Sequence, residues 1–291
     1  MSTVRRRFPE WLKAPFPGGE GYADIKRRLD EAGLHTVCEE AACPNVGECW
    51  GRHRTATFMI LGDICTRACA YCNVTTGRPH PVDTGEPARV AQVVKALGLR
   101  YAVVTSVDRD DLPDGGAGVF ADTIREVHRA VPGCAVEVLI PDFQGSREAL
   151  RTVMDAGPEV LNHNIETVRR VFRRVRPKGD YDRSLELLQR AGEMRPKTPT
   201  KSGLMVGLGE TTEEVLETMR DLRGVGCMLL TVGQYLRPSP KHHPVSRFYE
   251  PREFEELGAE GLRMGFRHVA SGPLVRSSYH AAEQMQAAGA G

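Results

Sequence analysis

Three cysteines on one short stretch, Cys65, Cys69 and Cys72, are spaced C-x3-C-x-aromatic-C, with Tyr71 as the aromatic residue. Thiolates are soft ligands suited to iron–sulfur sites. Three of them on one loop can hold three irons of a cubane [4Fe-4S] cluster and leave the fourth open to a small ligand. A structural zinc site wants four ligands, usually in C-x2–4-C pairs, so zinc would need a fourth donor from elsewhere. Cys38, Cys43 and Cys49 lie upstream, spaced C-x4-C-x5-C. Taken alone they fit a second cluster, a zinc site or ordinary buried thiols. Cys134 and Cys227 each stand beside an apolar run and read as small buried hydrophobes.

These groups need a scaffold, and the hydrophobic pattern supplies one. Apolar runs that read as strands occur at 57–62, 101–106, 135–140, 160–165, 203–208 and 228–233. Helical patterns occur at about 22–32, 87–98, 117–130, 146–156, 181–194, 212–225 and 252–264, the sixth opening with Thr211 and Glu214 in capping-box spacing. Short apolar strands alternating with helices predict a parallel sheet covered on both faces, either a barrel or a doubly wound sheet. The cysteine loop follows the first of these strands. Polar residues stand at other strand ends, Thr105 and Ser106, Asn164 and Glu166, where βα barrels carry their chemistry. His163 would point away from Asn162 and Asn164 if the strand alternates, which makes it a packed residue.

Composition removes several alternatives. The chain has 291 residues, and six of its eight cysteines fall between Cys38 and Cys72. A chain of this length can bury a core without staples, and clustered cysteines in a reducing compartment more often bind metal than pair up. With 39 Lys+Arg against 38 Asp+Glu, it lacks the basic excess of nucleic-acid binders. No apolar run approaches the roughly 18 residues of a membrane span, and Arg5, Arg6 and Arg7 precede no apolar stretch of a secretory signal. Cytoplasmic residence is expected, without nucleic acid or membrane as a partner. Arg169, Arg170, Arg173, Arg174 and Arg176 most simply form a solvated basic face, which could also meet an acidic partner domain.

The segment Cys65-Thr66-Arg67-Ala68-Cys69-Ala70-Tyr71-Cys72 resembles the signature of the radical S-adenosylmethionine superfamily. Cys38-Glu39-Glu40-Ala41-Ala42-Cys43-Pro44-Asn45-Val46-Gly47-Glu48-Cys49-Trp50, together with Arg276-Ser277-Ser278-Tyr279, resembles the lipoyl synthases within it. So do Pro9-Glu10-Trp11-Leu12-Lys13, the 105–112 segment, the 162–167 segment and the 201–210 segment. The resemblance spans nearly the whole chain.

That resemblance implies a partial (β/α)6 TIM-like barrel at 55–266, a cysteine-rich N-terminal extension at 1–54 and a short C-terminal extension at 267–291. It implies two [4Fe-4S] clusters. The first, on Cys65, Cys69 and Cys72, binds and reductively cleaves S-adenosyl-L-methionine. The second is auxiliary, held by Cys38, Cys43, Cys49 and Ser278. The implied activity is that of a sulfurtransferase inserting sulfur at C6 and C8 of an octanoyl chain amide-linked to a lysine, with the auxiliary cluster as sulfur source. Octanoylated lipoyl carrier domains (the glycine cleavage H protein or a 2-oxoacid dehydrogenase E2), a flavodoxin or ferredoxin electron donor, and a cluster-assembly or carrier protein are the implied partners. Tyr71 would lie near the adenine or be a packing aromatic. Thr105, Ser106, Asn164, Glu166 and Arg176 are candidate S-adenosylmethionine or substrate contacts. Asn164 and Glu166 could instead cap the next helix. Another radical sulfurtransferase, methylthiolating or biotin-type, and a zinc-stabilised binding module are the competing readings.

Overall fold

The computed structural model describes residues 9–14, 16–53, 56–287 and 289. Arg5, Arg6 and Arg7 and the end of the Ala/Gly tail lie outside them. The main sheet has eight strands in sequential order. A two-residue edge, β1 (His35–Thr36), pairs antiparallel with β2 (Thr57–Ile60). Then β3 (Tyr101–Ser106), β4 (Ala135–Leu139), β5 (Val160–Asn162), β6 (Thr200–Val206), β7 (Leu229–Gln234) and β8 (His268–Gly272) continue in parallel. The two edges do not pair, so the barrel is partial, as expected. All six expected strands are present. The seventh parallel strand, β8, falls in the segment assigned to the C-terminal extension. Its sequence, His-Val-Ala-Ser-Gly, is too polar to announce a buried strand, because one of its faces looks into the barrel.

The helices are α1 (Glu20–Ala32), α2 (Glu86–Leu97), α3 (Ala117–Ala130), α4 (Arg147–Asp155), α5 (Arg169–Val175), α6 (Tyr181–Met194), α7 (Thr212–Gly224), α8 (Pro251–Arg263) and α9 (Ala281–Ala287). The Thr211–Glu214 capping box forms in both directions, and Gly98 ends α2 in the left-handed conformation that glycine adopts without strain. α5 was hidden in the sequence by its arginines; Val171, Phe172 and Val175 supply its buried stripe. No helix among the described residues is long and apolar enough to cross a membrane.

Strand alternation divides the side chains. Phe58, Val104, Val138, Leu161, Leu204 and Leu230 pack outward under the helices in two large apolar clusters. At the opposite face, toward the barrel interior, stand Thr57, Val103, Glu137, Asn162 and Lys201. The interior is therefore far more polar than the shell, and both cysteine sets open near it.

Candidate functional site

The Cys65–Cys72 loop begins where β2 ends. Leu61 (φ 70°) and Gly62 (φ 85°) turn the chain, and the Glu86 carboxylate at the start of α2 accepts the Leu61 N–H at 2.7 Å. The loop is then fixed from several sides. Thr66 Oγ1 donates to the Asp108 carbonyl at 2.9 Å and accepts from Asp110 N at 3.0 Å. Arg67, buried within the motif, forks onto Asp110 at 2.8 and 2.7 Å and reaches Asp142 at 2.6 Å. A planar guanidinium suits this bidentate grip, and it holds the Asp142 carboxyl well below the usual carboxylate range against the cost of burial. His242 contacts the Cys72 carbonyl through Nε2 at 2.9 Å. His243 N donates to the Ala70 carbonyl at 2.8 Å. The 236–250 segment is thus a strap across the cysteine loop.

Beside this loop the polar strand ends converge. Glu166 has a φ of 70°, unusual for a residue with a Cβ, and is held there by Glu166 N to Gly203 O at 2.9 Å and Met205 N to Glu166 O at 2.8 Å. Burial pushes its carboxyl up, opposed by Arg176, Asn164 and Tyr71. Burial likewise raises Asp108, against the pull of Arg67 and Arg176, and raises the Tyr71 phenol well above its ordinary value. Arg176 is 6% exposed and donates to the Asn164 carbonyl at 3.1 Å. Burial works against its charge, which the Glu166 and Asp108 carboxylates support.

Arg176 therefore leaves the expected basic face. That face is itself partly neutralised: Arg169 pairs with Asp182 at 2.8 Å and Arg170 with Glu214 at 2.6 Å. The helix-capping alternative for Asn164 and Glu166 does not hold, since Val168 precedes α5 with no side-chain cap. Thr105 differs from its neighbour: its hydroxyl donates to the Leu139 carbonyl at 2.9 Å, while Ser106 Oγ makes no hydrogen bond. His163 is packed as expected, Nδ1–H donating to the Ile140 carbonyl at 2.8 Å and Nε2 lying 3.1 Å from Ser184 Oγ.

The second site is a cavity of about 240 Å³ lined by Cys38, Cys43, Cys49 and Ser278, with Arg276 and Tyr101 in its walls. Thr36 caps the helical turn Val37–Glu40 that carries Cys38. Ser278 arrives because the tail after β8 crosses the barrel: Gln234 N donates to the Pro273 carbonyl at 3.3 Å, and Tyr279 Oη reaches Glu48 at 3.3 Å. The half-buried Arg276 guanidinium lies near Cys43 and has its charge disfavoured by desolvation. Asn73 Nδ2 donates to the Glu40 carbonyl at 2.9 Å, tying the two cysteine segments together.

The residues fit the groups expected of them. Desolvation pushes the Cys38 and Cys69 thiols up to about 12 and Cys72 to about 11, so each set, one buried and two half-buried cysteines, is a pool of thiols that metal must deprotonate to load. Three thiols, a hydroxyl and a guanidinium in one cavity form a donor set for an anionic iron–sulfur group. Among the described residues no three His, Cys, Asp or Glu side chains are gathered tightly enough to share one ion. Ser106 Oγ and Asn164 Oδ1 are buried with no hydrogen-bond partner, as polar atoms awaiting a polar ligand would be.

Arg67, Asn45, Arg276 and His242 were not singled out from the sequence. Arg67, Asn45 and Arg276 were discoverable, since all three lie inside the motifs. Nothing local marks His242, whose partner is the remote Cys72 carbonyl.

Comparison with known proteins agrees with this geometry. Residues 59–222 match the radical SAM superfamily, and residues 1–43 match the N-terminal domain of lipoyl synthase of that family. Lipoyl synthase of Rubrobacter xylanophilus is 61% identical over 96% of this chain and 86% of its own length. That of Chloroflexus aurantiacus is 59% identical over 95% and 90%. In fold, the chain is similar to the crystal structure of methylornithine synthase (TM-score 0.56, 14% identity, covering 85% of this chain and 70% of that one). The chain belongs to the lipoyl synthase family of the radical SAM superfamily, a family of sulfurtransferases that use a [4Fe-4S] cluster and S-adenosylmethionine.

Proposed function

We propose that this enzyme inserts two sulfur atoms, at C6 and C8 of an octanoyl chain amide-linked to a lysine of a lipoyl carrier domain, and draws the sulfur from an auxiliary cluster. The observation that carries the reading is the shared cavity of Cys38, Cys43, Cys49 and Ser278, residues from opposite ends of the chain with no evident reason to meet except to hold one group.

When bound, the first cluster supplies the electron that splits S-adenosylmethionine into a radical able to take hydrogen from unactivated C–H bonds, and the second supplies sulfur. The chain's own residues do the rest. Cys65, Cys69 and Cys72 would hold the first cluster, at which S-adenosylmethionine would bind. Tyr71, Ser106, Asn164, Glu166 and Arg176 line its berth, where the Glu166 carboxylate and Asn164 Oδ1 accept from amino or hydroxyl groups and Arg176 donates to a carboxylate. Thr105, its hydroxyl committed to Leu139, acts by shape. Cys38, Cys43, Cys49 and Ser278 hold the second cluster. A serine oxygen is a harder ligand than thiolate and holds iron less firmly, which suits a cluster that must be opened.

In this reading 1–54 is the auxiliary-ligand extension, 55–266 the radical SAM barrel, and 267–291 the serine-bearing extension, with β8 belonging to both of the last two. The partners are octanoylated H protein or E2 domains, a flavodoxin or ferredoxin and a cluster-assembly or carrier protein, in the cytoplasm. The test is anaerobic incubation of the reconstituted protein with dithionite, S-adenosylmethionine and an octanoyl-lysine peptide. Monothiolated and then lipoyl peptide is expected; formation of neither contradicts the proposal.

A further inference from the structure

The barrel interior carries a buried polar network that neither set of cluster ligands includes. Lys201 on β6 and Glu137 on β4 are 0% and 1% exposed and meet at 2.9 and 3.2 Å. Asn162, on the strand between them, gives Nδ2 to Glu137 at 3.1 Å. Tyr101, at the start of β3, donates its hydroxyl to the same carboxylate at 2.6 Å. Three groups, on β3, β5 and β6, thus converge on one carboxylate on β4.

Stability alone does not explain the arrangement. Barrels of this kind are usually filled with bulky aliphatic side chains. A buried ion pair can often be replaced by well-packed apolar residues without loss, whereas removal of one partner leaves a costly lone charge. What distinguishes this network is where it ends. The Tyr101 ring lines the cavity of Cys38, Cys43, Cys49 and Ser278, alongside Val103 and Thr57 from the same interior face. With its hydroxyl bound to Glu137, and Glu137 braced by Lys201 and Asn162, the ring cannot turn away from the cavity.

We propose that Tyr101 is a positioning residue for sulfur transfer, its ring locked by the Glu137–Lys201 pair as the wall against which the octanoyl carbons meet the sulfur source. The inference rests on the reading of that cavity as the auxiliary site. The function of the lock is to hold a flexible alkyl chain in reacting geometry, where displacement by an ångström is costly.

The test compares the native full chain with Tyr101→Phe and with the double variant Glu137→Leu/Lys201→Met, which removes both charges together. Each is reconstituted anaerobically and assayed for iron content, for 5′-deoxyadenosine, and for thiolated octanoyl-lysine peptide. The double variant is expected to hold native iron and cleave S-adenosylmethionine at the native rate, but to make about tenfold more 5′-deoxyadenosine per thiolated product. Tyr101→Phe, which keeps the ring and loses the anchor, is expected to shift the same ratio by a smaller factor, and it carries the test if the double variant does not fold. A native ratio in either folded variant, or a loss of product that merely follows loss of iron, overturns the inference. Absence of thiolated product from the native chain would overturn the sulfur-insertion reading itself.

Discussion

The side-chain amide of Asn45 donates to the main-chain carbonyl of Leu274 at 2.7 Å, joining two segments 229 positions apart. Asn45 lies between Cys43 and Cys49, and Leu274 just ahead of Ser278, so this bond sits where the two halves of the second ligand set are brought together. Gly233 serves the same seam from β7: a Cβ there would collide with the Val275 carbonyl.

Asn45→Ala and Gly233→Ala should therefore detach the tail while leaving the barrel folded. The Asn45 change should cost about 1–2 kcal/mol, the penalty for a buried carbonyl losing its partner. Iron content should fall from about eight toward about four per chain, a cubane holding four, while S-adenosylmethionine cleavage persists. Iron analysis with cleavage kinetics reads both effects.

The two ligand sets should separate by function. Cys65→Ala should abolish S-adenosylmethionine cleavage. Cys38→Ala and Ser278→Ala should retain cleavage and lose sulfur insertion. Product analysis by mass spectrometry checks each, and lipoyl product from Cys38→Ala would remove that cysteine from the sulfur-donor set.

Glu166 and Arg176 interact electrostatically beside Tyr71, and in the proposed reading both contact S-adenosylmethionine. Glu166→Gln and Arg176→Met should each weaken S-adenosylmethionine binding by about tenfold or more, since a charge-assisted hydrogen bond is worth about 1.5–3 kcal/mol. Both should hold the first cluster. Equilibrium binding to the reconstituted protein, compared with its iron content, separates these effects.

His163 carries a pH signature. Burial lowers its imidazole from 6.5 to about 4, so below pH 6.5 the unfolded chain takes up a proton that the folded chain refuses. Its contribution is thus neutral above that pH and increasingly destabilising from about 6.5 down to 4, reaching about 3 kcal/mol. Denaturant unfolding of the native chain and His163→Gln across this window should show a shallower pH slope in the variant.

Much of this arrangement was legible in the chain. The three-cysteine spacings, the alternation of strands and helices, the Thr211–Glu214 box and the polar strand ends all report local or periodic constraints, and each appears where the sequence placed it. What could not be read depends on remote pairing. β8 looked too polar because its inner face lines a polar barrel. Arg176 was read two ways, as part of a basic face and, by resemblance, as a site residue, because adjacent arginines do not reveal that one turns inward. The Glu137–Lys201 pair was invisible because two charges on separate strands carry no signal until register brings them together. Ser278 was reached by family resemblance; the tail's path over Gly233 and Asn45 supplies the physical reason it can arrive.

The central claim is that sulfur leaves the site of Cys38, Cys43, Cys49 and Ser278 for the octanoyl chain. The most direct measurement is a single turnover of protein whose clusters were rebuilt with heavy-isotope sulfide, with unlabelled sulfur in solution and the peptide product weighed by mass spectrometry. The account predicts heavy sulfur at both positions in the native chain, and none inserted by Ser278→Ala. Lipoyl product containing only unlabelled sulfur would contradict it.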